Sequence, residues 1–571
     1  ELHAIEKKLK DYDFYKNHLL DSAQNLYDGI KLDLDITQQL DNLKFYINRK
    51  YDVDITNGDV KKLKDAIAFL ENRKMEQTAF IYHELSILKL TDLENYIKDN
   101  QKLEKLRLYL KRIIKNNSHI VDLKDKELEK ELNYFLDLFV TNANLLRNKQ
   151  IDFGSIEFEG ENIEISNHNY KKYMSNPCRE LRKKYFERFY KKYAEFSELF
   201  GINLKENIRI NTKLSILKKY NNPIEYYLSK EEIDYQIYDN LIESTNENLD
   251  ILHEYYRLRK EILNYNHLHI YDLYIPLVTE YIKSYSIEEA RVIVLSSLSI
   301  LGEDYIKIIE EAFDKNWIDC FPKKNKVSGA YGGGVYGQHP YILLNYSESI
   351  WDVKTLIHEL GHAANAYLSF GNQDYPYAYY STFVEEIPSI VNEFILYNYL
   401  KMNSKSSKEK LFYASMEIEI FIEKYFRATM QAEYEKKIYD LVLTNQFIDY
   451  NILNELYYDL QKKYYGKSVF VDKEISTEWE RILQYFEYPL YTYQYATSVC
   501  SAFYISKKLI SGDLSYRDKY LNFLALGNST SPVEALKLVE FDLNDKNMFV
   551  QIIEEFKKML NEFIENIKND F

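Results

Sequence analysis

The chain has 571 residues, 46% of them hydrophobic, enough for more than one core, and only 16 glycines and 9 prolines interrupt it. Its formal charge of −15, from 74 basic and 89 acidic side chains, repels phosphate backbones and anionic lipid, which excludes nucleic acid and membrane surfaces as partners. The longest apolar run, Val292 to Leu301, is broken by serines and falls far short of the roughly 20 residues that a membrane span needs.

Sparse turn residues favour long helices over many short strands, so the expected fold is mostly α. Cys178, Cys320 and Cys500 are odd in number and far apart, which suits neither a disulfide framework nor a paired-cysteine zinc site and predicts a reducing, cytoplasmic setting. Tyrosine occurs 55 times, so any single tyrosine is weak evidence for chemistry.

In chain order, residues 1 to about 150 read as successive polar helices, with charged stretches such as Lys102 to Lys115 on solvated faces. Between Ile151 and Ile165 the pattern alternates, with Gly154 and Gly160 at the turns, and predicts short strands. A boundary placed there divides the chain into an N-terminal helical domain, 1–165, and a second domain, 166–571. Asn176-Pro177 reads as an N-cap and first helical position, and an aromatic stripe from Phe186 to Phe200 recurs at helical spacing until Gly201 ends it. Helical character continues to about residue 316, and a second strand-like region runs from about Lys326 to Tyr346. Gly332, Gly334 and Gly337 match a dinucleotide fingerprint in spacing, but a strand follows them where that fingerprint requires a helix. A glycine-rich loop beside an edge strand suits an extended peptide better. His339, in the loop before Pro340, reads as a packing or surface residue.

Ser349 and Asp352 form a capping pair, and Val353, Leu356, Ile357, Leu360 and Ala364 give the following helix a buried face. This helix carries His358-Glu359-Leu360-Gly361-His362. Histidines at i and i+4 stand on one face a turn apart and can bind one zinc ion. Glu359 lies beside the metal without ligating it, placed to take a proton from a polarised water and return it to a leaving amine. Gly361 permits close approach of a neighbour.

Catalytic zinc needs a third protein ligand. The position a metzincin would use is Leu368, so the ligand comes from another element. Ser381 to Leu400 reads as that element, a helix capped by Thr382 with Glu385 and bent at Pro388. Glu386 and Glu393 share one face two turns apart, so one can ligate while the other orients a zinc histidine.

With these motifs the sequence resembles the M3 family of metallopeptidases, which includes oligoendopeptidase F, thimet oligopeptidase and neurolysin. The resemblance is carried by the HExGH helix with Phe383-Val384-Glu385-Glu386, and it leans to the oligoendopeptidase F branch through Ser328 to Tyr331, His339 to Asn345 and Tyr491 to Thr497. It implies a multi-helical, neurolysin-like fold with a deep central channel and a small β-sheet near the active site. It further implies one Zn2+ per chain held by His358, His362 and Glu386, with Glu393 behind them. Two positions depart from the branch: Asn365 and Tyr485 stand where histidines are usual.

Phenolic hydroxyls can donate to the oxyanion formed as water attacks a carbonyl, and Tyr485, Tyr488, Tyr491, Tyr493 and Tyr495 form a dense cluster. The resemblance singles out Tyr495 as the catalytic counterpart and suggests Tyr491 and Tyr493 as substrate contacts. The expected activity is zinc-dependent endopeptidase cleavage of short, unstructured oligopeptides. A zinc carboxypeptidase of similar fold is the alternative within the enzyme class, and a non-catalytic peptide-binding relative is the alternative outside it.

Overall fold

A computed structural model describes residues 1–115, 119, 121, 125–278 and 283–570, with side chains as far as residue 568. Helices dominate it, as the scarcity of turn residues predicts. Contacts group the chain into two units, each assembled from separate stretches: Glu1–Ile120, Lys283–Leu396 and Ile505–Glu540 in the first, Val121–Ile282, Tyr397–Tyr504 and Phe541–Phe571 in the second. This grouping differs from a linear division at residue 165.

In the first unit, two long helices, Ala23–Val53 and Gly58–Leu85, pack together. Ser22 and Asn57 cap them by accepting backbone N–H bonds from Asn25 and from Asp59 and Val60. Leu26, Ile30, Leu70 and Leu85 bury the faces that meet, each Leu or Ile contributing roughly 1.5–3 kcal/mol of hydrophobic stabilisation.

A small sheet follows later in the chain. Strands β4 (Ile318–Asp319), β5 (Tyr331–Gly333) and β6 (Tyr341–Leu343) are ordered 4-6-5, with β4 parallel and β5 antiparallel to β6. Among the described residues, one edge of β5 is therefore left without a strand neighbour in this sheet. His339 is a packing residue, stacked on the buried Trp317 with ring centroids 5.8 Å apart. Two helices complete the unit's centre, here called the motif helix (Ile350–Asn372) and the acidic helix (Thr382–Met402), the latter running on into the second unit.

The second unit contains the expected hairpin, β1 (Ser155–Phe158) paired antiparallel with β2 (Glu161–Glu164), after a helix over Lys126–Leu145. Glu159 and Gly160 both take positive φ, 51° and 83°, the handedness a tight two-residue hairpin turn needs. Two short parallel strands, β3 (Leu268–His269) and β7 (Val469–Phe470), also belong to it.

Two details depart from the sequence reading. The helix expected at Pro177 starts at Arg179 with Cys178 as its N-cap, because the Asn176 side chain instead closes a local turn onto the Cys178 N–H at 2.8 Å. Gly201 does not end a helix. It lies inside Ser197–Leu217, where a Cβ would meet the Tyr450 Cβ at 2.9 Å, so glycine is required there for a close contact.

Candidate metal centre

The motif helix starts where its capping box predicts. Ser349 Oγ accepts from the Asp352 N–H at 3.2 Å, and the Asp352 carboxylate accepts from the Ser349 N–H at 2.9 Å. Val353, Leu356, Ile357, Leu360 and Ala364 are fully buried, and this fixes the helix's rotation. The acidic helix begins at Thr382, with Ser381 Oγ accepting from the Phe383 N–H at 3.2 Å, one residue before the expected cap. Pro388 lies inside it.

Gly361 decides how closely the two helices approach. A Cβ there would stand 2.6 Å from Ser389 Cα and 2.9 Å from the Pro388 carbonyl oxygen, both backbone atoms that cannot swing away. The Asn392 carboxamide adds a polar tie, donating to the Ile357 carbonyl at 3.2 Å and to the Tyr305 hydroxyl at 3.1 Å.

This approach brings His358, His362 and Glu386 together, with one donor atom from each lying within 4.8 Å of the other two. His358 Nε2 is 3.6 Å from one Glu386 oxygen and His362 Nε2 is 3.9 Å from the other. Direct ionic hydrogen bonds would be near 2.7–2.9 Å. Donors bound at about 2.0–2.2 Å around a tetrahedral zinc stand roughly 3.3 Å apart. The three groups thus converge at a spacing suited to a shared cation and too wide for bonding to one another. Two imidazoles and a carboxylate are also the donor set that zinc takes at catalytic sites.

Glu393 is fully buried behind His358 and accepts from its Nδ1 at 2.6 Å. That bond holds the proton on Nδ1 and leaves the Nε2 lone pair directed to the centre. Lys354 Nζ reaches the other Glu393 oxygen at 3.2 Å. Lys354 precedes His358 by one helical turn, a spacing readable from sequence. Asn392 and the Gly332 N–H carried no comparable signal.

Glu359 is 6% exposed, and its pKa is raised chiefly by burial, with Glu386 adding to the effect while His358 and the Gly332 N–H oppose it. A buried carboxylate of this kind is a stronger base than one in water. Above it runs β5. A Cβ on Gly332 would meet the Glu359 carbonyl oxygen at 2.5 Å, and one on Gly334 would meet the Phe370 ring at 2.9 Å, so both glycines serve close packing.

The tyrosine cluster belongs to the second unit. Tyr491 and Tyr495 are half-buried and meet edge-to-face at 5.3 Å. Tyr493 is 1% exposed and packs edge-on against Tyr238, a core position. Tyr485 is also core, donating to the Gln431 carbonyl at 3.2 Å. Asn365, the other departure from the branch, is buried in the first unit and hydrogen-bonds Tyr380.

A sequence profile described as peptidase family M3 matches residues 172–555. The chain belongs to peptidase family M3. It is accordingly a metallopeptidase, with a catalytic metal and peptide substrates. Among M3 relatives, oligopeptidase PepF of Bacillus subtilis is 32% identical over 99% of this chain and 84% of its own length. An oligoendopeptidase F homolog of Borreliella burgdorferi is 31% identical over 98% of this chain and 94% of its own. The crystal structure of oligoendopeptidase-F from Enterococcus faecium superposes with a TM-score of 0.79 at 26% identity, covering 100% of this chain and 98% of that one.

Proposed function

We propose that this chain is a zinc-dependent oligoendopeptidase that hydrolyses internal bonds of short, unstructured peptides in the cytoplasm. The observation that carries the reading is the convergence of His358, His362 and Glu386 at one point, with the buried Glu359 beside it. The relatives' names, oligopeptidase and oligoendopeptidase F, support the substrate class. The cytoplasmic assignment is supported by three free cysteines and by the lack of any helix, among the described residues, long and apolar enough to cross a membrane.

His358, His362 and Glu386 hold the ion, and Glu393 keeps His358 in the ligating tautomer. Bound there, zinc acts as a Lewis acid that acidifies water and polarises a carbonyl. Glu359 removes a proton from the attacking water as its oxygen bonds the peptide carbon. It then delivers that proton to the nitrogen as the C–N bond breaks, so the amine leaves neutral. Tyr495 donates its hydroxyl to the oxyanion, and Tyr491 contacts the peptide beside it.

The test uses zinc-loaded protein and end-blocked, internally quenched peptides, with products mapped by mass. Internal cleavage is expected, and Glu359→Gln is expected to keep its zinc while kcat/KM falls about 10²–10⁴-fold. Activity surviving that substitution, or products formed only by release of C-terminal residues from unblocked peptides, would overturn the proposal.

A further inference from the structure

A widely open cleft of about 380 Å³ lies in the first unit where β5 ends, with Gly334, Tyr379, Phe45, Asn48, Lys44 and Arg49 on its walls. Arg49 is its unusual member. The guanidinium lies 4.1 Å from the Tyr331 ring centroid and 5.0 Å from that of Phe45, so aromatic faces hold its plane. Its hydrogen-bonding capacity is nevertheless little engaged. Among the described residues its one ionic contact is with Asp52 at 3.4 Å, and the same Asp52 oxygen already accepts the Tyr331 hydroxyl at 2.8 Å. Arg49 Nε is enclosed and has no hydrogen-bond partner among the described residues.

Arg182, in the second unit, shows what a structural arginine does. It donates to the carbonyls of Tyr271, Asn176 and Pro177 and to the Asp272 carboxylate, at 2.7–3.0 Å. A guanidinium carries five N–H donors, and one fixed in plane with most of them disengaged is prepared for a planar, two-oxygen acceptor. Lys44 adds positive charge to the cavity wall, although Glu71 is paired with it at 2.8 Å. Asp41 also lines the cavity, but its carboxylate is engaged by the Tyr375 hydroxyl at 2.5 Å.

Position links this cavity to the reaction. Gly332 lies on the Glu359 backbone, and Gly334, two residues farther along the chain, forms part of the cavity wall. At about 3.3 Å per residue, a peptide extended along the open edge of β5 past Glu359 reaches the cavity roughly two residues from the bond being cut. We propose that Arg49, assisted by Lys44, forms a carboxylate-selecting subsite for the bound peptide. This rests on the oligopeptidase reading above. The carboxylate is either an acidic side chain or the peptide's own C-terminus.

The experiment scans glutamate against glutamine at each of four positions on either side of a single cleavable bond, with free and amidated C-termini. Affinity is read by fluorescence anisotropy of end-labelled peptides on zinc-loaded Glu359→Gln protein, and cleavage by the unsubstituted enzyme is scored separately. One position, or the free C-terminus, is expected to bind about tenfold tighter than its neutral counterpart, the usual size of a charge-assisted hydrogen bond. Arg49→Gln placed in the same background should bring that ratio close to unity, Arg49→Lys should keep part of it, and Lys44→Gln should lower it modestly. Unfolding midpoints check that the variants are folded. No preference for a carboxylate at any position overturns the subsite even if Arg49→Gln fails to fold, and so does a preference that survives Arg49→Gln. Peptides bound with acid preference but never cut would overturn the proposed activity and leave the subsite standing. Peptides cut without such preference would do the reverse.

Discussion

Each unit buries a glutamate among polar partners, and the two arrangements end differently. In the second unit, Glu478 accepts from Arg427 at 2.5 Å, Tyr457 at 2.9 Å, Gln461 at 3.0 Å and Tyr190 at 3.3 Å. Both its oxygens are satisfied, and the network closes on itself. Burial alone would raise its pKa, but Arg427 and Arg481 outweigh burial and hold it below the usual carboxylate value. In the first unit, Glu393 accepts from His358 Nδ1 with one oxygen and has an ionic contact with Lys354 at the other. There the chain of contacts continues through the imidazole to a lone pair directed at His362 and Glu386. A buried charge whose partners are themselves satisfied indicates structure. One whose partner still presents an open donor atom indicates a site.

The most severe challenge to this distinction comes from Glu435, also in the second unit. It accepts from the Leu490 N–H at 2.6 Å, while its other oxygen is buried with no hydrogen-bond partner among the described residues. Burial pushes its pKa up to about 8, against an ordinary value of 4.5. The folded chain therefore binds this proton more tightly than the unfolded chain does. The stability it contributes is complete below pH 4.5 and is lost as pH rises toward 8, a change on the order of 4–5 kcal/mol. Glu435→Gln keeps an acceptor for Leu490 and cannot ionise. Urea unfolding at pH 5 and pH 9 should show the variant gaining on the parent by several kcal/mol at the higher pH. Parallel pH dependence of the two proteins would mean that water or a structural shift solvates Glu435.

Opening the closed network is expected to have a slightly smaller effect. Arg427→Met removes the cation hydrogen-bonded to Glu478, leaving its charge to neutral donors and the nearby Arg481, and should cost about 3–5 kcal/mol in urea unfolding. Zinc bound per folded molecule should stay the same. A loss under 1 kcal/mol would show that the network is dispensable, and altered zinc content would remove its separation from the metal centre.

Sequence made the metal centre unusually readable because its chemistry is local. The spacing of His358 and His362 on one helix fixes their faces, and the capping box at Ser349 fixes where that helix starts. The acidic helix needed more. Spacing alone left Glu386 and Glu393 interchangeable, and only the fold tells the ion-facing carboxylate from the buried one. Gly361 was readable as a point of close approach, but its neighbours, Pro388 and Ser389, depend on a helix crossing that no local pattern encodes. At Asn176 and Gly201 the ordinary cap and breaker signals are overridden, by a side chain that closes a turn and by a distant Tyr450. In the second unit, Glu478 and Glu435 look alike in sequence, and the difference between them comes from non-local partners.

The smallest expected effect tests the comparison at its other end. Glu393→Gln preserves size and leaves an oxygen able to accept from His358 Nδ1, so the fold should tolerate it. The replacement is neutral and makes the imidazole a weaker ligand. Its amide can also turn to donate toward Nδ1, which would move the ring proton to Nε2 and block the ligating lone pair. Zinc affinity measured by chelator competition should therefore fall about 10–100-fold. Lys354→Met leaves the carboxylate on His358 and removes only a partly exposed ion pair, so it should change zinc affinity less than about fivefold. If the two substitutions weaken zinc equally, Glu393 acts by filling space and charge, and its bond to the histidine does not set the tautomer. If only the first weakens it, the bond through the ring separates this buried glutamate from Glu478.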